Sequence, residues 1–280
     1  MSVVPGLDAR LRCTRVYDGS PMKPHALIIR TAGTNCDGEL VHAFEMAGAR
    51  TSLIHINRLI DHPQVLDQSD LIGFPGGFSY GDDISAGRIF ANTLRHRLFH
   101  PLQNAVRRGV PMIGICNGFQ VLVKLGLLPD PFQPTWIQSF TLADNLNGRF
   151  VDRWVQLHVN PSSRCIWTKD LDRIELPIAH GEGRLVAQSD HLVQQLRDNG
   201  QVALRYAADD NPNGSVDDIA GICDPTGLIL GLMPHPERYM DATNHPQWTR
   251  RDKQPPPTGL VMLINALNHI AGRSSTVTIP

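Results

Sequence analysis

No apolar run in this chain approaches the roughly 20 residues that a membrane-crossing helix needs. Neither sign of charge is in excess. The formal net charge is -1 over 280 residues, so the electrostatic footprint of a nucleic-acid or anionic-membrane binder is missing. Cysteine is sparse. Cys13, Cys36, Cys116, Cys165 and Cys223 are scattered and odd in number, with no Cys-x-x-Cys pair. That argues against a disulfide framework or a sequence-local zinc motif, and it suits a reducing cytoplasm. Met1 to Lys23 lacks the apolar centre of a signal peptide. There is no phosphate-cradling Gly-x-x-x-x-Gly-Lys loop, no internal repeat, and no low-complexity tract beyond Pro255-Pro256-Pro257. Asn213-Gly214-Ser215 spells a glycosylation sequon, but within Asn-Pro-Asn-Gly it reads as a turn.

What is present is a chain 41% hydrophobic, enough for a substantial core. Residues 1–24 read as an N-terminal arm, 25–272 as one domain and 273–280 as a tail. The proline-rich, aperiodic segment 241–257 reads as an inserted surface loop. Strands are predicted at Ala26–Ile29, Thr51–Ile56, Leu71–Phe74 and Met112–Ile115, with helices after the first and last. A long helix is predicted over Ala86–Arg108, kinked or broken at Pro101, with Arg95, Arg97, Arg107 and Arg108 on a solvated face. Alternating strands and helices imply βαβ units around a parallel sheet, with helices on both faces and the working site beyond the carboxyl ends of the strands. Residues 127–150 read as loop. Further short strands are predicted at Arg153–Val159, from Ile174, and at Gln201–Tyr206, Ile219–Cys223 and Leu228–Met233. The last two are joined by Asp224-Pro225-Thr226-Gly227 as an antiparallel pair. A terminal amphipathic helix is predicted over Gly259–Ala271.

The chemistry gathers around Gly114-Ile115-Cys116-Asn117-Gly118. A buried strand leads into it and a helix leaves it, which is the layout of a nucleophile elbow. Cys116 then projects beside a helix N-terminus, where the macrodipole favours a thiolate. Pro75-Gly76-Gly77-Phe78 follows another strand, and backbone N–H groups there and at Asn117 are candidate oxyanion donors. Asp82-Asp83 reads as a solvated turn, not a metal site. A thiol nucleophile needs a base, and the base an orienting partner. His235 and Glu237, two apart and flanked by Pro234 and Pro236, share one face of an extended segment. His180, with Glu182 two residues on, is the competing base or a cleft or interface residue. A buried structural cysteine and a surface His-Pro-Glu turn are the plainer readings of the separate pieces.

Together, Cys116-Asn117-Gly118-Phe119-Gln120 and the distant His235-Pro236-Glu237 resemble the class I (triad) glutamine amidotransferases. Phe74-Pro75-Gly76-Gly77-Phe78-Ser79-Tyr80-Gly81-Asp82, Ala179-His180-Gly181-Glu182-Gly183 and Met233-Pro234-His235-Pro236-Glu237-Arg238 narrow the resemblance. They are similar to the branch that supplies the glutaminase subunits of phosphoribosylformylglycinamidine synthases, over about Ala26 to Arg238. The resemblance implies a flavodoxin-like α/β fold, a mainly parallel central sheet with helices on both faces and an antiparallel edge. It implies Cys116 as nucleophile, His235 as acid and base, Glu237 as its orienting partner, and Gly77 or Phe78 with Asn117 as the oxyanion hole. Gly76, Gln120, Asn145 and Arg153 are the implied substrate-binding residues, with Asn147 where the family carries serine. Cys36 is implied to be structural or to lie just behind the site. L-glutamine is the implied substrate. The implied partners are a large synthetase subunit, carrying ATP and magnesium, and a small bridging subunit. No cofactor or metal is expected on this chain. An amidotransferase serving another acceptor, a non-catalytic module of the same fold, and a cysteine hydrolase are the competing classes.

Overall fold

The computed structural model describes residues 23–133, 135–251 and 256–275. The expected arm, apart from its last two residues, lies outside these, as does most of the expected tail. In chain order the elements are β1 (His25–Arg30), α1 (Asp37–Met46), β2 (Arg50–His55), α2 (Ile56–Asp61), β3 (Leu71–Phe74), α3 (Arg88–Arg107), β4 (Met112–Ile115) and α4 (Asn117–Leu125). Then come β5 (Phe140–Ala143), β6 (Val151–Val159), β7 (Arg173–His180), β8 (Arg184–Ala187), α5 (Asp190–Asp198), β9 (Val202–Tyr206), β10 (Ile219–Cys223), β11 (Ile229–Leu232) and α6 (Thr258–Ser275).

Among the described residues the main sheet has nine strands in the order β2-β1-β3-β4-β11-β10-β9-β6-β7. The pairs from β2 to β11 are parallel. Those from β11 to β7 are antiparallel. The fold is the mixed α/β class expected, and the expected antiparallel edge is the whole side of the sheet from β11 to β7. β1, β3, β4 and β11 are apolar at successive positions and buried throughout, apart from Arg30 at the end of β1, as strands covered on both faces must be. Neighbouring residues of β3 identify the two covers. A Cβ on Gly73 would meet Leu40 and Phe44 of α1, while Phe74 lies against Gly118 of α4. Helices therefore pack on both faces.

Several local expectations are corrected. α3 runs unbroken through Pro101. The carbonyl that Pro101 leaves unpaired belongs to exposed Arg97, where water can take the bond. Arg95 is not a solvated residue. Its guanidinium donates to the carbonyl oxygens of Lys124, Leu125 and Trp136, each at 2.8 Å. It thus puts a cation on the C-terminal end of α4, where the helix dipole is negative. Arg108 likewise donates to the carbonyls of Leu66 and Asp67. β5 lies within the stretch read as loop and pairs with β8 in a separate two-stranded sheet. α2 and α5 were not foreseen, being too short for periodicity to stand out. The described part of the 241–257 segment, read as a surface loop, is mostly exposed and carries two short 3₁₀ turns. His245 meets Trp154 edge-on at a ring-centroid distance of 4.5 Å, and Arg251 pairs with Glu175. No helix of the described residues is long and apolar enough to cross a membrane.

Arg95→Ala is expected to cost about 2 kcal/mol, because it orphans three carbonyls that a charged donor satisfies. Urea titration monitored by circular dichroism will show a lower midpoint with an unchanged slope.

Candidate active site

β4 and β11 are parallel, with Gly231 opposite Gly114 and Leu232 opposite Ile115. The strands end together, so Cys116 and the Met233-Pro234-His235 segment leave the sheet side by side. Cys116 N–H donates to the Leu232 carbonyl at 2.8 Å. Its backbone sits at φ 52°, ψ -107°, a conformation that a side chain rarely adopts and the mark of a strained elbow. The turn demands glycine on both sides. A Cβ on Gly118 would lie 1.9 Å from the Phe74 carbonyl oxygen, and one on Gly114 would lie 2.6 Å from that of Gly118. The Cys116 thiol donates to the Ala179 carbonyl at 3.7 Å, so β7 closes the other side.

His235 and Glu237 are buried. His235 Nδ1 meets Glu237 Oε1 at 2.6 Å, and the backbone N–H of His235 donates to the Pro177 carbonyl at 2.8 Å. The opposite ring nitrogen, Nε2, has no hydrogen-bond partner among the described residues. Burial pushes the imidazole toward the neutral form. The Glu237 charge, then the Cys116 and Cys36 thiols, outweigh burial and hold His235 well above its ordinary pKa. Because that pKa is raised, the pair's stabilisation is complete below the ordinary histidine range and is lost as pH rises through the elevated value.

A cavity of about 360 Å³ opens over these groups. Cys116, His235, Gly77, Phe78, Gln120, His180 and Glu182, all expected at the site, line it. Gly76 lies beneath, with His235 Cε1 3.0 Å and the Cys116 Cβ 3.4 Å from where its own Cβ would stand. Of the two alternatives expected as oxyanion donor after β3, the Phe78 N–H is committed to the Gly33 carbonyl at 2.9 Å, which leaves Gly77 as the candidate beside Asn117. Gln120 is a strut. Its amide donates to the Glu182 carbonyl at 2.6 Å and accepts from Asn117 Nδ2 at 2.9 Å.

Asn145 and Arg153 do not line the cavity. Asn145 is buried behind it, donating to the carbonyls of Arg149 and His180. Arg153 pairs with Asp210 at 2.6 Å on another part of the surface. His180 is not partnered by Glu182. Because the Asn145 amide nitrogen is spent on two carbonyls, its Oδ1 must accept from His180 Nδ1, 3.0 Å away. Burial, then the neighbouring His235, depress the His180 pKa to about 4, so the ring is neutral. Asp82 is no solvated turn residue either. Its Oδ1 accepts from Asn117 Nδ2 at 3.1 Å and from the Gly87 N–H at 3.3 Å, clamping the loop to the elbow helix. Cys36, Phe150, Asp152 and Arg238 also line the cavity. Cys36, expected to be structural or to lie just behind the site, is thus in the lining itself, and Arg238 stands one residue beyond the His-Pro-Glu motif.

A strained cysteine elbow, a buried histidine–carboxylate pair and inward backbone donors are groups suited to acyl transfer, and with this sheet they fit a class I glutamine amidotransferase. Residues 23–270 match the profile of the CobB/CobQ-like glutamine amidotransferase domain. The phosphoribosylformylglycinamidine synthase subunit PurQ of Dehalococcoides mccartyi is 44% identical over 252 residues, 88% of this chain and 97% of that protein. The subunit PurQ of Methanococcus maripaludis is 41% identical over 235 residues, 80% of this chain and 86% of that protein. A chain in the structure of PurLQS from Thermotoga maritima superposes with a TM-score of 0.69 at 33% identity, covering 89% of this chain and all of that one (100%). The chain belongs to the PurQ family of glutamine amidotransferases.

Stability should fall with acid in a way His180 explains. A histidine whose folded pKa is depressed contributes fully above the ordinary value, and the contribution is lost as pH drops toward about 4. By pH 5 the loss is about 2 kcal/mol. Urea unfolding at pH 7 and pH 5 is expected to show that fall in the parent chain and a flatter dependence in His180→Asn, which keeps a donor toward Asn145.

Proposed function

We infer that this chain is the glutaminase subunit of a phosphoribosylformylglycinamidine synthase. The observation that carries the reading is the buried 2.6 Å His235–Glu237 pair beside the elbow cysteine. Family membership selects the reaction that such a pair serves. The cavity lining suits a zwitterionic amino acid, since it carries the Arg238 guanidinium as well as the carboxylates of Asp82, Asp152 and Glu182.

In this reading the Cys116 sulfur attacks the side-chain amide carbon of L-glutamine. Charge builds on the amide oxygen and is met by the N–H groups of Gly77 and Asn117. His235, held protonated by Glu237, gives its proton to the departing nitrogen, which leaves as ammonia, and a glutamyl thioester remains. His235, now a base, takes a proton from water as the water attacks the thioester. Glutamate leaves, and Cys116 and His235 are back in their starting protonation states. The ammonia passes to a large synthetase subunit, which holds ATP and magnesium and converts formylglycinamide ribonucleotide to formylglycinamidine ribonucleotide in purine biosynthesis. A small bridging subunit completes the assembly, which works in the cytoplasm. The exposed apolar side chains Phe78 and Phe150 at the cavity suit a rim that a partner covers.

The experiment is reconstitution with the synthetase and bridging subunits. Cys116→Ala is expected to abolish glutamine-dependent synthesis and to leave ammonia-dependent synthesis intact. Glutamine turnover by that variant would overturn the mechanism. Glu237→Gln removes the charge that keeps His235 protonated, and kcat for glutamine hydrolysis should fall by roughly 10³-fold with ammonia-dependent synthesis retained.

A further inference from the structure

A Cys–His hydrolytic site needs one thiol, and this one has two. Cys36, at the start of α1, is buried and lines the same cavity as Cys116 and His235. The ligand-capable atoms of Cys36, His235 and Glu237 lie within 4.8 Å of one another. Gly76 shows how closely the second thiol joins the first. The position of a Cβ on that glycine is 3.0 Å from His235 Cε1, 3.2 Å from Cys36 Sγ and 3.4 Å from Cys116 Cβ. The Cys36 sulfur, the Cβ of Cys116 and one imidazole edge therefore converge on the space that a side chain at Gly76 would fill.

We propose that Cys36 Sγ, Cys116 Sγ and His235 Nε2 form a binding site for a thiophilic divalent cation of the zinc class, and that the bound ion silences the nucleophile. His235 Nε2 is buried and without a hydrogen-bond partner, while Nδ1 is fixed by Glu237. A carboxylate on one ring nitrogen with the other turned to a metal is the usual support of a zinc-bound histidine. Glu237 therefore acts behind the site as the orienting group and not as a ligand. Tetrahedral zinc bonds at about 2.3 Å to sulfur and about 2.0 Å to nitrogen, which sets its ligands roughly 3.5–3.8 Å apart.

The charges also balance. Two thiolates neutralise the divalent ion, so no net charge is added to a buried site. Arg238 Nη2 already donates to Cys36 Sγ at 3.3 Å, a bond that strengthens when the sulfur becomes anionic. The present acceptor of the Cys36 thiol, Asn35 Oδ1 at 3.4 Å, loses only that proton. Binding releases two protons, one from Cys36 and one from the Cys116–His235 pair, whichever partner of that pair holds it. The fourth coordination position faces the cavity, open to water. Glutamine is excluded because the sulfur lone pair it needs is in the metal bond.

The inference rests on geometry and stands apart from the choice of substrate. Cobalt(II) is the probe, added to the reduced full-length chain. The expected result is a thiolate-to-cobalt charge-transfer band saturating at about one ion per chain, with release of about two protons. Zinc displaces the cobalt and blocks alkylation of Cys116 by iodoacetamide. Cys36→Ser and Cys36→Ala should each weaken cobalt binding by roughly tenfold or more, with an unchanged circular-dichroism spectrum. The absence of a charge-transfer band in the parent chain overturns the proposal. So does a band of unchanged affinity in the Cys36→Ser, Cys116→Ser double variant, which would place the ion on other thiols such as Cys165 and Cys223.

Discussion

The parallel register between β4 and β11 is the constraint on which the site depends. Leu232 lies opposite Ile115, so the residues that follow each strand leave the sheet at one level. Cys116 follows directly on β4, and His235 comes three residues after β11 ends. Side chains alternate along a strand, so a slip of one residue would turn each apolar position to the other face and carry the histidine away from the sulfur. The register is held where it matters most, by the Cys116 N–H on the Leu232 carbonyl at 2.8 Å. β11 is also where the sheet changes from parallel to antiparallel pairing. His235 and Glu237 therefore follow the strand that the two halves share, and Cys116 follows a strand of the parallel half.

Around that register the polar side chains also brace one another. Asp82, Asn117, Gln120 and Glu182 form a continuous chain of hydrogen bonds from the loop after β3, through the elbow helix, to the turn after β7. Asn145 serves His180 and the backbone of the β7–β8 turn in the same way. Arg95 fixes the far end of the elbow helix. The strained φ of Cys116 persists because these contacts over-determine it. The histidines are separated electrostatically as well. His235 is driven toward its charged form by a carboxylate, and His180 toward its neutral form by burial and by His235 itself. The two rings are thus held in opposite protonation states, His235 charged and His180 neutral.

Much of this was legible in the chain. The all-apolar strands, the helix closed by Gly48, the Asp224–Gly227 turn and the glycine-bracketed cysteine are local signals, and each appears where its residues place it. β5, β8 and α5 were not legible. β5 and β8 are no shorter than β3 and β4, but they lack the fully buried apolar run that marks those strands, and α5 is only nine residues. Pro101 misled because proline's cost falls on a carbonyl that water can satisfy. Arg95, Asp82 and Asn145 misled because a polar side chain in a polar stretch looks solvated until its partners, tens of residues away, are known.

The sequence by itself determined the chemistry on offer: a cysteine that must sit in a sharp turn, and a histidine and glutamate held on one face by two prolines. Those are consequences of backbone sterics within a few residues. The tertiary structure alone decided which groups converge. It placed Cys36 beside Cys116, removed Phe78 from the oxyanion donors, and paired His180 with Asn145 in place of Glu182. Such choices turn on hydrogen-bond partners contributed by distant strands, and no local pattern carries them.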